Sequence, residues 1–392
     1  PRSDSLTWLC ADFAADGTHP GTTARQKVAN LLNVHFRGDS TTTPWYLGGT
    51  GARAAPLPPD RAEGLYHIYH GGGLTSQGPA LLVRKNMSDR LALSGQLYVD
   101  AVSNASVDVV TTASKYSETR TELGFGVDYA VRDSNINLAI TSSKEPDYRA
   151  DAVSLDVAQE TFGGMTTVNL GFTRAADKVG RSGIGYFDQA KHWQYRLGVT
   201  QILTSRWVAS ANLEGVSDSG YLGNPYRAAR VFGAAVPENL PRTRSSRALN
   251  LRVIGDLGSR DSVRGSYRYF WDNWDVRAHT VEGGYSRYVG ESFLLDGFVR
   301  YYKQDKASFY SDNAQVQNLY VTRNRQLGTY DGVTLGGKAT YDWKKVAGQY
   351  QMKLNGGLEV LRYRYSDYTD LRNGSPYNLN AVVLQLYVTA SY

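Results

Sequence analysis

The chain has 392 residues and a net charge of +6, from 43 lysines and arginines against 37 acids. That excess is mild and scattered, which excludes the dense basic runs of a nucleic-acid binder. The length allows either several soluble domains or one large barrel, and the 28 Tyr, 7 Trp and 11 Phe favour the barrel, because Tyr and Trp suit a surface that is wet at one end and apolar at the other.

Gly, at 40 residues, supplies positions where crowded strands can bend. The single cysteine, Cys10, excludes an intrachain disulfide, and bulky Trp8 and Leu9 before it argue against lipidation. A chain that opens on Pro1 without Met reads as a mature protein whose signal peptide has been removed. No stretch reaches the ~18 consecutive apolar residues of a membrane helix. An outer-membrane protein needs that absence, since such a run would arrest it in the inner membrane.

Residues 1–60 are rich in Gly, Thr, Ala and Pro and end in Ala54-Ala55-Pro56-Leu57-Pro58-Pro59. Only Ala24 to Phe36 has helical spacing. We read this part as a periplasmic arm, with a plug folded into the lumen as the alternative, and residues 61–392 as the barrel.

From Leu65 onward strands are expected over 65–72, 78–87, 90–103, 119–132, 134–143, 149–159, 163–175 and 192–204. They continue over 206–217, 246–257, 261–272, 275–289, 291–305, 332–344, 350–365 and 381–392. These are about 16, an even number, with lengths that bracket the ~9–11 residues needed to cross a bilayer obliquely. Tight turns at Met87-Ser88-Asp89, Arg132-Asp133-Ser134, Thr161-Phe162-Gly163, Thr204-Ser205, Gly258-Ser259-Arg260 and Gly290 alternate with longer connections near 104–118, 144–148, 176–191, 218–245, 306–331 and 366–380. Short on one side and long on the other is the layout of periplasmic turns and extracellular loops, with both termini periplasmic.

The faces follow the same alternation. In 90–103, Leu91, Leu93, Gly95, Leu97 and Val99 face one way and Ser94, Gln96, Tyr98 and Asp100 the other. In 332–344, Val333, Leu335, Ala339, Tyr341 and Trp343 oppose Lys338, Thr340 and Asp342. The last strand, AVVLQLYVTASY, places Val382, Leu384, Leu386, Val388, Ala390 and Tyr392 on one face; outer-membrane barrels commonly close on such an aromatic-ended strand. A large soluble sandwich is the competing architecture, and it has no need of so many strands of matched length with aromatics at their ends.

Several stretches carry a family resemblance: LYVDAVSNASVDVVTTASKYSETRTELGFGVDY (97–129), DYRADAVSLDVAQETFGGMTTVNLGF (147–172), GYLGNPYRAARV (220–231), PRTRSSRALNLR (241–252), YRYFWDNWDVRAHTVEGGYSRYV (267–289) and FVRYYKQDKASFYSD (298–312). From about Leu65 to the C-terminus the chain resembles a widespread family of proteobacterial outer-membrane barrels defined by a domain of unknown function. The first 60 residues do not match it. The resemblance implies a barrel in the outer membrane and brings no substrate or catalytic motif. It further implies genes nearby for a thioredoxin-like protein, a flavin-attaching enzyme and a small Cys-tailed lipoprotein, and so a redox or secretion partner.

His67 and His70 are three apart on a strand, so they face opposite ways and cannot chelate together; they read as interface residues near a rim. His19, His35, His192 and His279 are scattered, and none has the spacing of a zinc site or a nucleophile triad. The expectation is a non-enzyme with no cofactor and no metal. Asp312, Asp367 and Asp370 offer weak calcium or lipopolysaccharide-bridging positions without EF-hand spacing. The 218–245 segment is unusually apolar for a surface loop and is expected to constrict the barrel or dock a partner.

The expected lumen face holds Arg252, Arg264, Arg268 and Arg300 together with Asp256, Glu282, Asp296, Lys338, Asp342, Lys353 and Glu359. One reading is a basic stripe that steers anionic solutes; the other is a salt-bridged network in which acids neutralise the arginines. The resulting expectation is a Gram-negative outer-membrane channel for small hydrophilic solutes. The alternative is a closed barrel acting as membrane anchor or export conduit for a periplasmic or surface partner. Partners expected are outer-membrane lipid and lipopolysaccharide and a periplasmic protein or lipoprotein, with no nucleic acid.

Overall fold

A computed structural model describes residues 57–104, 116–181, 183–346 and 349–392. The arm-or-plug expectation, the 24–36 helix, Cys10, His19 and His35 therefore fall outside the described residues, apart from 57–60.

The strands are β1 (Arg61–Gly71), β2 (Leu74–Ser88), β3 (Leu91–Asn104), β4 (Tyr116–Val131), β5 (Ser134–Lys144), β6 (Tyr148–Thr161), β7 (Thr166–Arg181), β8 (Gly185–Ile202) and β9 (Trp207–Gly220). A short pair, β10 (Ala228–Val231) and β11 (Ala234–Pro237), stands apart. Then come β12 (Thr243–Gly258), β13 (Asp261–Asp272), β14 (Arg277–Val289), β15 (Phe293–Gln304), β16 (Tyr330–Val346), β17 (Tyr350–Asp370) and β18 (Ser375–Ser391). All except β10 and β11 form one closed antiparallel barrel of sixteen strands in chain order, β9 pairing with β12 and β18 with β1.

Alternation explains why these segments close into a barrel. On one face stand Leu123, Ile140, Leu170, Val281, Leu335 and Leu386, each roughly half or more exposed, with Leu335 at 61%. Each would gain about 1.5–3 kcal/mol on leaving water. A continuous outer belt of such side chains around a closed sheet is stable only in hydrocarbon. The opposite face, turned to the lumen, is polar.

The end where β1 starts and β18 finishes carries the short turns 89–90, 132–133 and 259–260. The other end carries the two long segments, 221–242 and 305–329, but also short turns at 72–73 and 371–374. Gly72 and Gly73 there have φ of 60° and 83°, which glycine adopts without strain. Two of the expected loops are largely strand: β7 and β8 run on to Arg181 and from Gly185, and β17 and β18 extend to Asp370 and from Ser375. These extensions continue the ladder past the apolar belt, where β17 and β18 bury Tyr365, Tyr377 and Leu379 on the lumen side, so the belt's apolar-outward alternation no longer marks the strand.

Candidate functional site: a roofed lumen

The two long segments fold onto each other. β10 and β11 form a hairpin about Phe232 and Gly233, with φ of 49° and 84°. The Phe232 amide donates to the Ala314 carbonyl and the Ala314 amide to the Arg230 carbonyl, both at 2.9 Å. Asn239 and Val321 exchange backbone hydrogen bonds at 2.9 and 3.0 Å, and Thr322 Oγ1 donates to Glu238 Oε2 at 2.8 Å. Ala229, Ala314 and Val321 are buried between them with Val231 and Val236 packed alongside. Apolar burial is thus the reason for the apolar composition of 218–245. A second cluster, Trp274, Val276, Ala307, Tyr310 and Leu327, joins this layer to the top of β13 and β14.

The layer is bolted on two nearly opposite sides of the barrel. On one side Tyr226 donates its hydroxyl to the Asp147 carboxylate in the β5–β6 connection, and Arg181 lies 5.7 Å from the Tyr226 ring centroid. On the other side stands Arg323, 5% exposed, which donates to Tyr368 Oη at 3.0 Å, the Thr369 carbonyl at 2.5 Å and Asp312 Oδ1 at 2.8 Å. Tyr310 Oη donates to the Asp367 carbonyl at 2.9 Å, and burial holds that phenol above its ordinary pKa. Arg325 reaches the inward-facing Tyr377 of β18, 5.3 Å from its ring centroid, while Gln304 donates to the Gln326 and Gly328 carbonyls. Around the ring of sixteen, β6 and β17 are seven steps apart by the shorter way, so the layer spans close to a full diameter. It is a roof across the mouth.

Between the roof and the walls of β6–β9 and β12–β15 lies a cavity of about 610 Å³. It is lined by Tyr148, Asp177, His192, Arg268, Trp274 and Gln326 among others. His192 bridges two carboxylates, Nε2 to Asp177 at 2.9 Å and Nδ1 to Asp218 at 2.7 Å, and Tyr148 donates its hydroxyl to Asp177.

Cross-strand register places Arg252, Asp256, Arg264, Arg268, Glu282, Asp296, Arg300, Lys338, Asp342, Lys353 and Glu359 on the lumen face. Most of these charges meet one another. Arg264 donates to Asp296 at 2.9 Å and lies 3.6 Å from Glu282; Arg300 lies 2.7 Å from Glu282. Arg268 approaches Glu214 at 3.7 Å, and Lys353 approaches Asp342 at 3.7 Å. Phe298 lies between the Arg264 and Arg300 guanidinium groups, 5.9 and 5.0 Å from its centroid. Lys338 stands 5.3 Å from the Tyr387 ring centroid, and Asp256 accepts from the Gly258 amide.

The opposite wall differs. Asp100, Glu118, Glu122 and Asp128 of β3 and β4 face inward, as do Asp156 and Glu160 of β6, Asp177 of β7, and Glu214 and Asp218 of β9. The inward bases of β3–β9 below the rim are Arg120, Arg196 and His192. Glu118 gathers with Glu145 and Asp147 at the mouth, their carboxylate oxygens within 4.8 Å of one another. Burial pushes the Glu145 carboxyl above its ordinary pKa, with Asp147 and Asp100 adding to the rise and Arg120 opposing it. The lumen is thus charge-balanced along β12–β17 and carries more acids than bases along β3–β9, where Arg84 of β2 meets Asp128 and Arg268 of β13 meets Glu214.

Three features of this site escape a reading of the sequence. His67 does not sit at a rim interface: it is buried inside the barrel, Nε2 bonding Asp100 at 2.7 Å, with its ring stacked 4.7 Å from Tyr98. His70 faces outward and meets Thr75. The Asp177–His192–Asp218 bridge joins three strands, so no spacing announces it. Asp312, Asp367 and Asp370 are engaged by Arg323, the Thr329 amide and Arg372.

The sequence matches the profile of a family described as a protein of unknown function (DUF3570) over residues 94–184 and 185–354. No curated protein matches it. Among solved structures, it is similar to a bacterial polysaccharide outer membrane secretin, with 9% identity and a TM-score of 0.50 over 83% of this chain and 97% of that one. It is also similar to an OmpT loop-deletion mutant from Vibrio cholerae, with 9% identity and a TM-score of 0.46 over 84% and 98% of the two chains. A third, the CymD monoaromatic hydrocarbon channel, has 10% identity and a TM-score of 0.43 over 85% and 88%. The fold is that of outer-membrane β-barrels.

Proposed function

For a chain that belongs to the DUF3570 family of proteins of unknown function, we propose a channel of the Gram-negative outer membrane that passes small hydrophilic solutes and favours cations. The turn end and both ends of the barrel sequence face the periplasm, and the roofed end faces outward. The observation that carries the reading is the polar lumen of a closed sixteen-strand barrel with an apolar outer belt. The choice of cations follows from the acid-rich wall of β3–β9, because the low-dielectric walls of a barrel focus the field of the charges that line its lumen. The arginines of β12–β17, neutralised by Glu282, Asp296 and Glu214, give little attraction for anions.

The roof supports a second reading, a closed barrel that anchors or exports a partner and opens only with it. No catalytic role is assigned to any residue. Single-channel recording of the purified barrel in a planar bilayer tests the proposal. Steady, salt-proportional steps with a reversal potential on the cation side support the channel. Silence in both wild type and a variant lacking residues 225–240 overturns it in favour of the closed barrel.

A further inference from the structure

The outer surface of β5–β8 at the roofed end carries an arrangement that a bare protein surface disfavours. Register sets Lys144 directly opposite Arg149, and Arg149 directly opposite Lys178. Three cations thus stand side by side on consecutive strands, in a row that Gln189 continues on β8. Directly opposed side chains have Cβ atoms about 4.5–5.5 Å apart, and like charges at that separation repel. All three are exposed and share the face of the lipid-facing Ile140 and Leu155, so the lumen acids are on the far side of the sheet.

The next row toward the belt runs Ser142, Asp151, Ala176 and Lys191. Asp151 bonds Arg149 at 3.0 Å and accepts from Ser142, and it is the one carboxylate in these two rows. Glu145 and Asp147 follow Lys144 in sequence but gather with inward-facing Glu118. One row further, Ile140 and Val153 begin the apolar belt, and Arg174 stacks 4.8 Å from Trp193. Four cations against one carboxylate therefore stand immediately above the level where the hydrocarbon begins, at the height of lipid headgroups.

We propose that Lys144, Arg149, Lys178 and Lys191 form a binding surface for the phosphate groups of lipopolysaccharide in the leaflet at the roofed end. Phosphate oxygens placed between opposed Lys and Arg side chains turn the repulsion of the row into charge-assisted hydrogen bonds. Arg174 on Trp193 marks the boundary below which the acyl chains lie. The surface rests on the proposed orientation, with the roofed end outward in the membrane, and is independent of solute passage.

The test uses full-length barrel in phosphatidylcholine vesicles, alone, with lipopolysaccharide, and with dephosphorylated lipopolysaccharide. It follows the thermal unfolding midpoint and, by native mass spectrometry, the number of retained lipid molecules. Intact lipopolysaccharide is expected to raise the midpoint and remain bound, and the dephosphorylated lipid to do neither. A Lys144→Gln/Arg149→Gln/Lys178→Gln variant is expected to lose both effects while unfolding normally in phosphatidylcholine. Arg287→Gln, outward at the turn end, should retain both. A variant that keeps the shift, an equal shift with dephosphorylated lipid, or no shift in wild type overturns the proposal. A shift reproduced by inorganic phosphate alone overturns it too, by making the surface a site for soluble anions. Failure of the barrel to insert into vesicles would instead refute the membrane reading itself.

Discussion

Arg323→Met tests whether the roof is a latch. The methionine keeps much of the aliphatic bulk and removes the guanidinium, which makes three charge-assisted contacts, to Tyr368 Oη, the Thr369 carbonyl and Asp312, from a site 5% exposed. Removing one partner of a buried pair costs about 3–5 kcal/mol, since Asp312 is left without its cation. At about 1.4 kcal/mol per tenfold, the roof should detach from β17 two to three and a half orders of magnitude more often. The loss is local, because no barrel hydrogen bond depends on Arg323. Amide exchange reads it directly: the Ala314, Val321 and Asn239 protons, held across the two segments, should exchange faster by a comparable factor while barrel amides such as Leu335 do not change. On the channel reading, single-channel traces should show openings to a higher conductance more often than in wild type. Unchanged exchange at Val321 would refute the latch, whatever the conductance.

Other consequences follow from the walls. Glu118→Gln with Glu145→Gln should move the reversal potential toward zero without changing the single-channel step more than about twofold, and a reversal potential that stays put would clear the β3–β9 wall of any part in selectivity. Because burial and the neighbouring Asp147 and Asp100 raise the Glu145 carboxyl while Arg120 opposes them, it loses its charge as pH falls before an ordinary glutamate does. Cation preference should therefore start to decline above the ordinary carboxylate range near pH ~4.3, and a selectivity flat down to that range counts against the assignment. Gly336→Ala places a Cβ 2.2 Å from the Phe298 ring, which stands between Arg264 and Arg300, so a loss of about 1–3 kcal/mol in barrel stability is expected by urea titration. Wild-type stability would show that the ring moves freely.

The barrel is legible in the sequence because a strand inside a membrane has one apolar and one polar face, and Leu91 to Val99 or Val333 to Trp343 spell that out. The legibility stops where the hydrocarbon stops. Arg181 and Asp370 end strands that run well past the belt, and there nothing penalises a polar residue on either face. β10 and β11, four residues each, are too short for a period. The lumen face of residues such as Arg264 and Glu282 follows from alternation within one strand. Their pairing does not, since it depends on the stagger between β13, β14 and β15. The same limit hides His67–Asp100, which lie on strands that are not neighbours, and Arg323, whose partners come from β17 and its own loop.

The seam has a consequence for how the chain matures. Arg61 pairs with Ser391 and Gly71 with Ala381, so the first strand waits for the last before its second edge is satisfied. Every strand between these two meets both partners nearby in the chain; this ladder alone closes a loop of the whole barrel's length. Closure entropy grows only slowly with loop length, so the seam is slow to find but not costly to keep. Until it zips, two unsatisfied edges persist in an environment without water, and a chain halted at that stage is open to pairing with any other exposed strand. Assembly is therefore expected to have one late, cooperative step at β1–β18, and a strand-pairing catalyst would act there.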